Sequence, residues 1–125
     1  MLEITVTTEN GERHVRVSAE ELAGLVRRIG GPGDAFLVLE RIPDLPDVFA
    51  QVLSDPGGYT LEHRAGAADR HFAATVDDAD TVIAVLEGWA RRTPGWDAGP
   101  EWSPLYGRRG GSRVRALVQR LRRLR

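Results

Sequence analysis

Apolar and polar residues alternate at the start of the chain. Leu2, Ile4 and Val6 are separated by Glu3, Thr5 and Thr7, and Val15 and Val17 flank Arg16. A period of two puts alternate residues on opposite faces of a strand, so two strands are predicted, over residues 2–8 and 12–17. Asn10-Gly11 lies between them. That pair suits a type I′ turn, which needs positive φ at both central residues. With Asn10-Gly11 as the loop, Glu9 faces Glu12, Val6 faces Val15 and Ile4 faces Val17. This register sends every apolar side chain to one face.

The period then changes. Leu22, Leu25, Val26 and Ile29 recur at helical spacing and form one stripe. Ser18 with Glu21 three residues later makes a capping box. Arg27 and Arg28 suit the negative end of the helix dipole, and Gly30-Gly31-Pro32-Gly33 stops the helix. These glycines follow a helix and precede a strand. A phosphate cradle needs the reverse order, so they are read as a stop and a loop.

Residues 35–76 are read as a meander, with strands at about 35–41, 48–53, 59–64 and 70–76 separated by Pro, Gly and Asp clusters. The first two of these runs are apolar on both parities, which places them centrally, covered at least in part on each face. A second helix follows, from Ala79 to about residue 92, capped by Asp77 or Asp78. Its stripe is Val82, Val85, Leu86 and Trp89, and Pro94-Gly95 ends it. Trp96 and Trp102 lie in the irregular stretch after it. They are expected to fold back and seal an edge of the core; a binding surface is the other reading. The element order is β-β-α-β-β-β-β-α. The expected fold is α+β, a mainly antiparallel sheet of about six strands with two helices on it.

Residues 107–111 read as a glycine-rich linker. Ser112 can cap a basic amphipathic helix over about 113–123, with Val114, Leu117, Val118, Leu121 and Leu124 as a narrow stripe. The domain is therefore expected to span 1–106 and to keep its fold without the tail.

Composition narrows the function classes. At 125 residues the chain is long enough for one real core. It has no cysteine, hence no disulfide and no thiolate site. Its three histidines show no metal-ligand spacing, so no metal and no cofactor are expected. The N-terminus lacks the apolar run of a signal peptide, and no stretch approaches the ~20 apolar residues of a membrane helix. A cytoplasmic protein is expected. Charge is split sharply. Nine arginines against eighteen acids leave residues 1–107 at −9, while residues 108–125 hold eight arginines and no acid, +8.

Candidate chemistry sits in the second hairpin of the meander. Pairing it about Ala67-Ala68 puts His63 opposite Phe72 on one face and gathers Glu62, Arg64 and His71 on the other. A carboxylate, a guanidinium and an imidazole together suit acid/base work, a partner-contact patch, or a cross-strand polar cluster on a solvated face. No serine stands in a nucleophile elbow and no carboxylate pair is forced together by spacing. The sequence leans away from an enzyme. Candidate partner-binding residues are Asp44, Asp47 and Asp55 with Glu62, Arg64 and His71. Arg108, Arg109, Arg113, Arg115, Arg120, Arg122 and Arg123 are candidates for contact with an anionic partner such as nucleic acid. The same tail could instead lie on the acidic body or on a membrane surface.

The hairpin leading into S-A-E-E-L, then F-L-V-L-E and the meander, then T-V-I-A-V-L-E-G-W-A and finally Trp102 past a Gly/Pro turn, resembles the Imm1-like family of bacterial immunity proteins. The resemblance covers about residues 2–105. It implies a non-enzymatic α+β protein that binds and blocks a cognate toxin, often one acting on nucleic acid. The basic tail departs from that pattern. A nucleic-acid-associated accessory protein acting through the tail is the competing class.

Overall fold

A computed structural model describes residues 1–105. The first hairpin, β1 (Ile4–Thr8) and β2 (Arg13–Val15), closes differently from the Asn10-Gly11 expectation. Thr8 N donates to Glu12 O at 3.0 Å, and Gly11 N donates to Thr8 O at 3.1 Å, with Gly11 at φ 94. The loop is thus three residues long with glycine in the left-handed position, the next commonest hairpin after the two-residue type. Side chains of Thr8, Asn10 and Glu12 bond one another across it, which favours the longer loop. The register slips by one, to Thr5↔Val15 and Val6↔His14. Val15 is consequently left 51% exposed, against expectation. Arg16 then takes a positive φ of 55, and this turn of the backbone brings Val17 back into the core.

Helix α1 (Ala19–Arg28) begins at Ser18 with both arms of the capping box made. Strands β3 (Phe36–Arg41), β4 (Val48–Asp55), β5 (Gly58–Ala65) and β6 (His71–Val76) form the meander. Helix α2 (Ala79–Arg91) starts at Asp78, whose side chain accepts from Thr81 N. The sheet gains a seventh strand that the sequence did not announce, β7 (Ser103–Pro104), laid along β6. Proline is tolerated there because β7 is an edge. The order is β2-β1-β3-β4-β5-β6-β7, antiparallel throughout. Strands β3 and β4 are interior, as their two-sided apolar character predicts.

The first face of the sheet carries the main core. Ile4, Val6, Leu37, Leu39, Val52 and Leu61 meet Leu22, Leu25 and Val26 of α1 and Val82, Val85, Leu86 and Trp89 of α2. The second face holds a separate cluster of Phe36, Val38, Phe49 and Leu53. No helix among the described residues is long and apolar enough to cross a membrane. The expected C-terminal helix and the 106/107 boundary lie outside the described residues.

Candidate functional site

Three cross-strand rows define the second face. The first is Phe36, Leu53, Thr60 and Thr75; the next is Val38, Gln51, Glu62 and Ala73; the last is Glu40, Phe49, Arg64 and His71. The hairpin register expected from Ala67-Ala68 is the one observed, His63↔Phe72 and Arg64↔His71. It brings Glu62, Arg64 and His71 together, but not on a solvated face. Glu62 is 1% and His71 0% exposed.

A chain of hydrogen bonds runs through them. Arg64 NH1 donates to Asp47 Oδ1 at 3.0 Å, Arg64 Nε donates to His71 Nδ1 at 3.1 Å, and His71 Nε2 lies 2.6 Å from Glu62 Oε1. Because Nδ1 accepts from the Arg64 guanidinium, Nε2 is the ring nitrogen that donates, to Glu62 Oε1. Both ring nitrogens of His71 are thus engaged, and the ring offers no free nitrogen to a substrate in this arrangement. Phe49 closes the cluster, its ring edge-on to His71 at 5.7 Å and under the Arg64 guanidinium at 5.4 Å.

The remaining acidic candidates are dispersed. Asp47 precedes β4 and Asp55 ends it, about 26 Å apart for eight residues of strand. Asp55 accepts from Gly57 N and Thr60 Oγ1, so it holds the β4–β5 turn. Asp44 is exposed and lines a small cavity of about 230 Å³ with Arg13, Arg16, Glu40 and Arg41. Asp44, Asp47 and Asp55 therefore do not form one patch. The tail arginines from Arg108 to Arg123 lie outside the described residues.

Sequence reasoning paired His63 with Phe72 and left its role open. His63 is the post on which the tryptophan segment hangs. Phe72 stacks on it at 5.1 Å, and Trp96 and Trp102 meet it edge-on at 4.9 and 4.7 Å. Burial pushes the ring's pKa down to about 4. Trp102 Nε1 donates to Asp97 O at 2.9 Å, and both half-buried tryptophans pack against the main core, as expected. Between α2 and this segment runs an open groove of about 480 Å³. Ala84, Val85, Gly88 and Trp96 give it an apolar floor, and Asp80 stands at one end. Exposed Asp77, Asp78, Asp97 and Glu101 flank its lining in sequence. Nothing in the hydrophobic pattern marked this groove, because it is made by a segment without periodicity. Among the described residues no group of His, Asp or Glu is placed to hold a metal ion.

No protein-family model matches the chain, and neither a curated protein nor a solved structure matches it at a significant level.

Proposed function

We propose that the chain is a non-enzymatic protein-binding module of the immunity type, whose acidic body takes a basic partner such as a toxin that acts on nucleic acid. The groove between α2 and the Trp96 segment supports this reading best. Its apolar floor can take aliphatic or aromatic side chains, while Asp80 in its lining, paired with Arg27, and the exposed acids near it in sequence favour a cationic rim. Such pairing speeds encounter and suppresses wrong partners. The −9 carried by residues 1–107 pulls on a cationic surface close to the body, while the chain as a whole stands at −1.

The structure also selects which acids to test. Asp47 is tied to Arg64, and Asp55 holds a turn, so reversing them would disturb the fold as well as any interface. Asp77 and Asp97 are exposed and lie within three residues, in sequence, of residues that line the groove. The partner to try first is the product of the gene adjacent on the chromosome. Association measured at rising salt should slow steeply. Asp77→Arg with Asp97→Arg should slow it by about tenfold while leaving the unfolding midpoint nearly unchanged. If the chain binds no basic protein, and instead retains nucleic acid until Arg108, Arg109 and Arg113 are replaced by glutamine, the immunity reading falls and the accessory-protein reading replaces it.

A further inference from the structure

The middle of the second face of the sheet, from β3 across β4 to Glu62 and His71, is buried without a described element to bury it. Phe36 is 1% exposed and Gln51 0%, yet both helices belong to the core on the opposite face. A bare sheet surface leaves a phenylalanine partly wet. The same face holds polar atoms that need partners: both side-chain amide atoms of Gln51 and Oε2 of Glu62 have no hydrogen bond among the described residues. Buried polar atoms of this kind are nearly always satisfied in native proteins, and a buried carboxylate in particular calls for a cation or a donor.

We infer that this face is covered by the chain's own C-terminal segment, residues 106–125. Its apolar stripe, Val114, Leu117, Val118, Leu121 and Leu124, matches the need of Phe36, Val38, Phe49 and Leu53. Its eight arginines are natural donors for the orphaned acceptors Glu62 Oε2 and Gln51 Oε1. Geometry permits it. Leu105 N donates to His71 O at 2.9 Å, so the chain leaves the described region beside the Glu62–His71–Arg64 cluster. A helix over 113–123 would be about 16 Å long, and β3 to β6 span about 14 Å. Six linker residues reach at most about 20 Å. Arginines docked this way would be withheld from nucleic acid, and the tail would belong to the fold, contrary to what its glycine linker suggests. The face concerned is opposite the helices and away from the groove between α2 and the Trp96 segment, but the docked arginines would offset most of the body's −9.

The test uses the full chain, which has no cysteine, so that Gln119→Cys gives a single site for a nitroxide label on the side opposite the stripe. The label should broaden the amide resonances of Val38, Gln51 and Glu62 and spare Leu22–Val26 of α1. In an equal mixture of labelled, unenriched chain with unlabelled, nitrogen-15-enriched chain, no broadening should appear. Absence of broadening in the labelled chain itself would overturn the inference. Broadening in the mixture would also overturn it, by assigning the face to a second copy. Trypsin supplies an independent measurement. Leu117→Asp with Leu121→Asp should speed cleavage after Arg113–Arg123 by about 100-fold, since a docked segment is cut only when it opens. Equal rates in parent and variant, with the clipped body keeping its unfolding midpoint, would sink the idea.

Discussion

His63 shows how much one side chain can depend on what surrounds it. In water an imidazole titrates near 6.5; wrapped by Phe72, Trp96 and Trp102 it is pushed down to about 4 because burial penalises the charged ring. Between those values the unfolded chain binds a proton that the folded chain does not. Stability must therefore fall as pH drops below about 6.5 and stop falling, for this group, below about 4. The full shift corresponds to about 3 kcal/mol. Urea melts at pH 7 and 4.5 should show the parent losing more stability than His63→Gln, by about 2–3 kcal/mol. Equal losses would mean that the ring is reached by water. His71 was as legible as His63 in sequence position, but its burial was not. Alternation places a residue on a face and says nothing of what lies over that face.

At the scale of elements, the two helices differ in how they use glycine. Gly24 of α1 is exposed, and a Cβ there would meet nothing within 4 Å. Gly88 of α2 is a different case, since a Cβ would come 2.8 Å from Trp96 Cβ. Alanine in a helix gains roughly 0.5–1 kcal/mol over glycine. Gly24→Ala should stabilise by about that amount. Gly88→Ala should instead destabilise by about 1–3 kcal/mol, the usual cost of overfilling a packed contact, and should alter Trp fluorescence. Thermal melts of the two variants decide it; a gain for both would show that the Trp96 segment yields freely. The first hairpin carries the opposite lesson. Asn10-Gly11 named the turn, but Thr8, Asn10 and Glu12 bonding one another selected a three-residue loop, and Arg16 absorbed the slip.

For the molecule as a whole, Trp89 is the joint between α2 and the sheet. It is buried in the main core, and Arg41 of β3 lays its guanidinium 3.9 Å over the indole while NH1 donates to Trp89 O at 3.0 Å. Trp89→Ala should cost about 3–5 kcal/mol, as large truncations in cores do. Small domains have only about 5–15 kcal/mol in total, so this variant should sit near the edge of folding. Its unfolding should remain a single transition, because both helices share one core with the first face. Denaturant melts followed by fluorescence and by circular dichroism test this. A loss under about 1 kcal/mol, or two separated transitions, would mean that the joint is not where the structure puts it.

What the sequence determined by itself is what neighbours within a turn or a hairpin can decide. Ser18 with Glu21, the Val82–Trp89 stripe, a cap at Asp77 or Asp78 and the His63↔Phe72 register were all readable, since each rests on side chains a few residues apart or on a period that only one element satisfies. Tertiary structure decided the rest. The one-residue slip at Val15, the seventh strand at Ser103–Pro104, the gathering of Trp96 and Trp102 on His63, and the burial of Glu62 and His71 all depend on groups far apart in the chain. Those choices turn on which surface covers which, and a local pattern of apolar and polar residues cannot encode that, because burial is a property of the partner as much as of the residue.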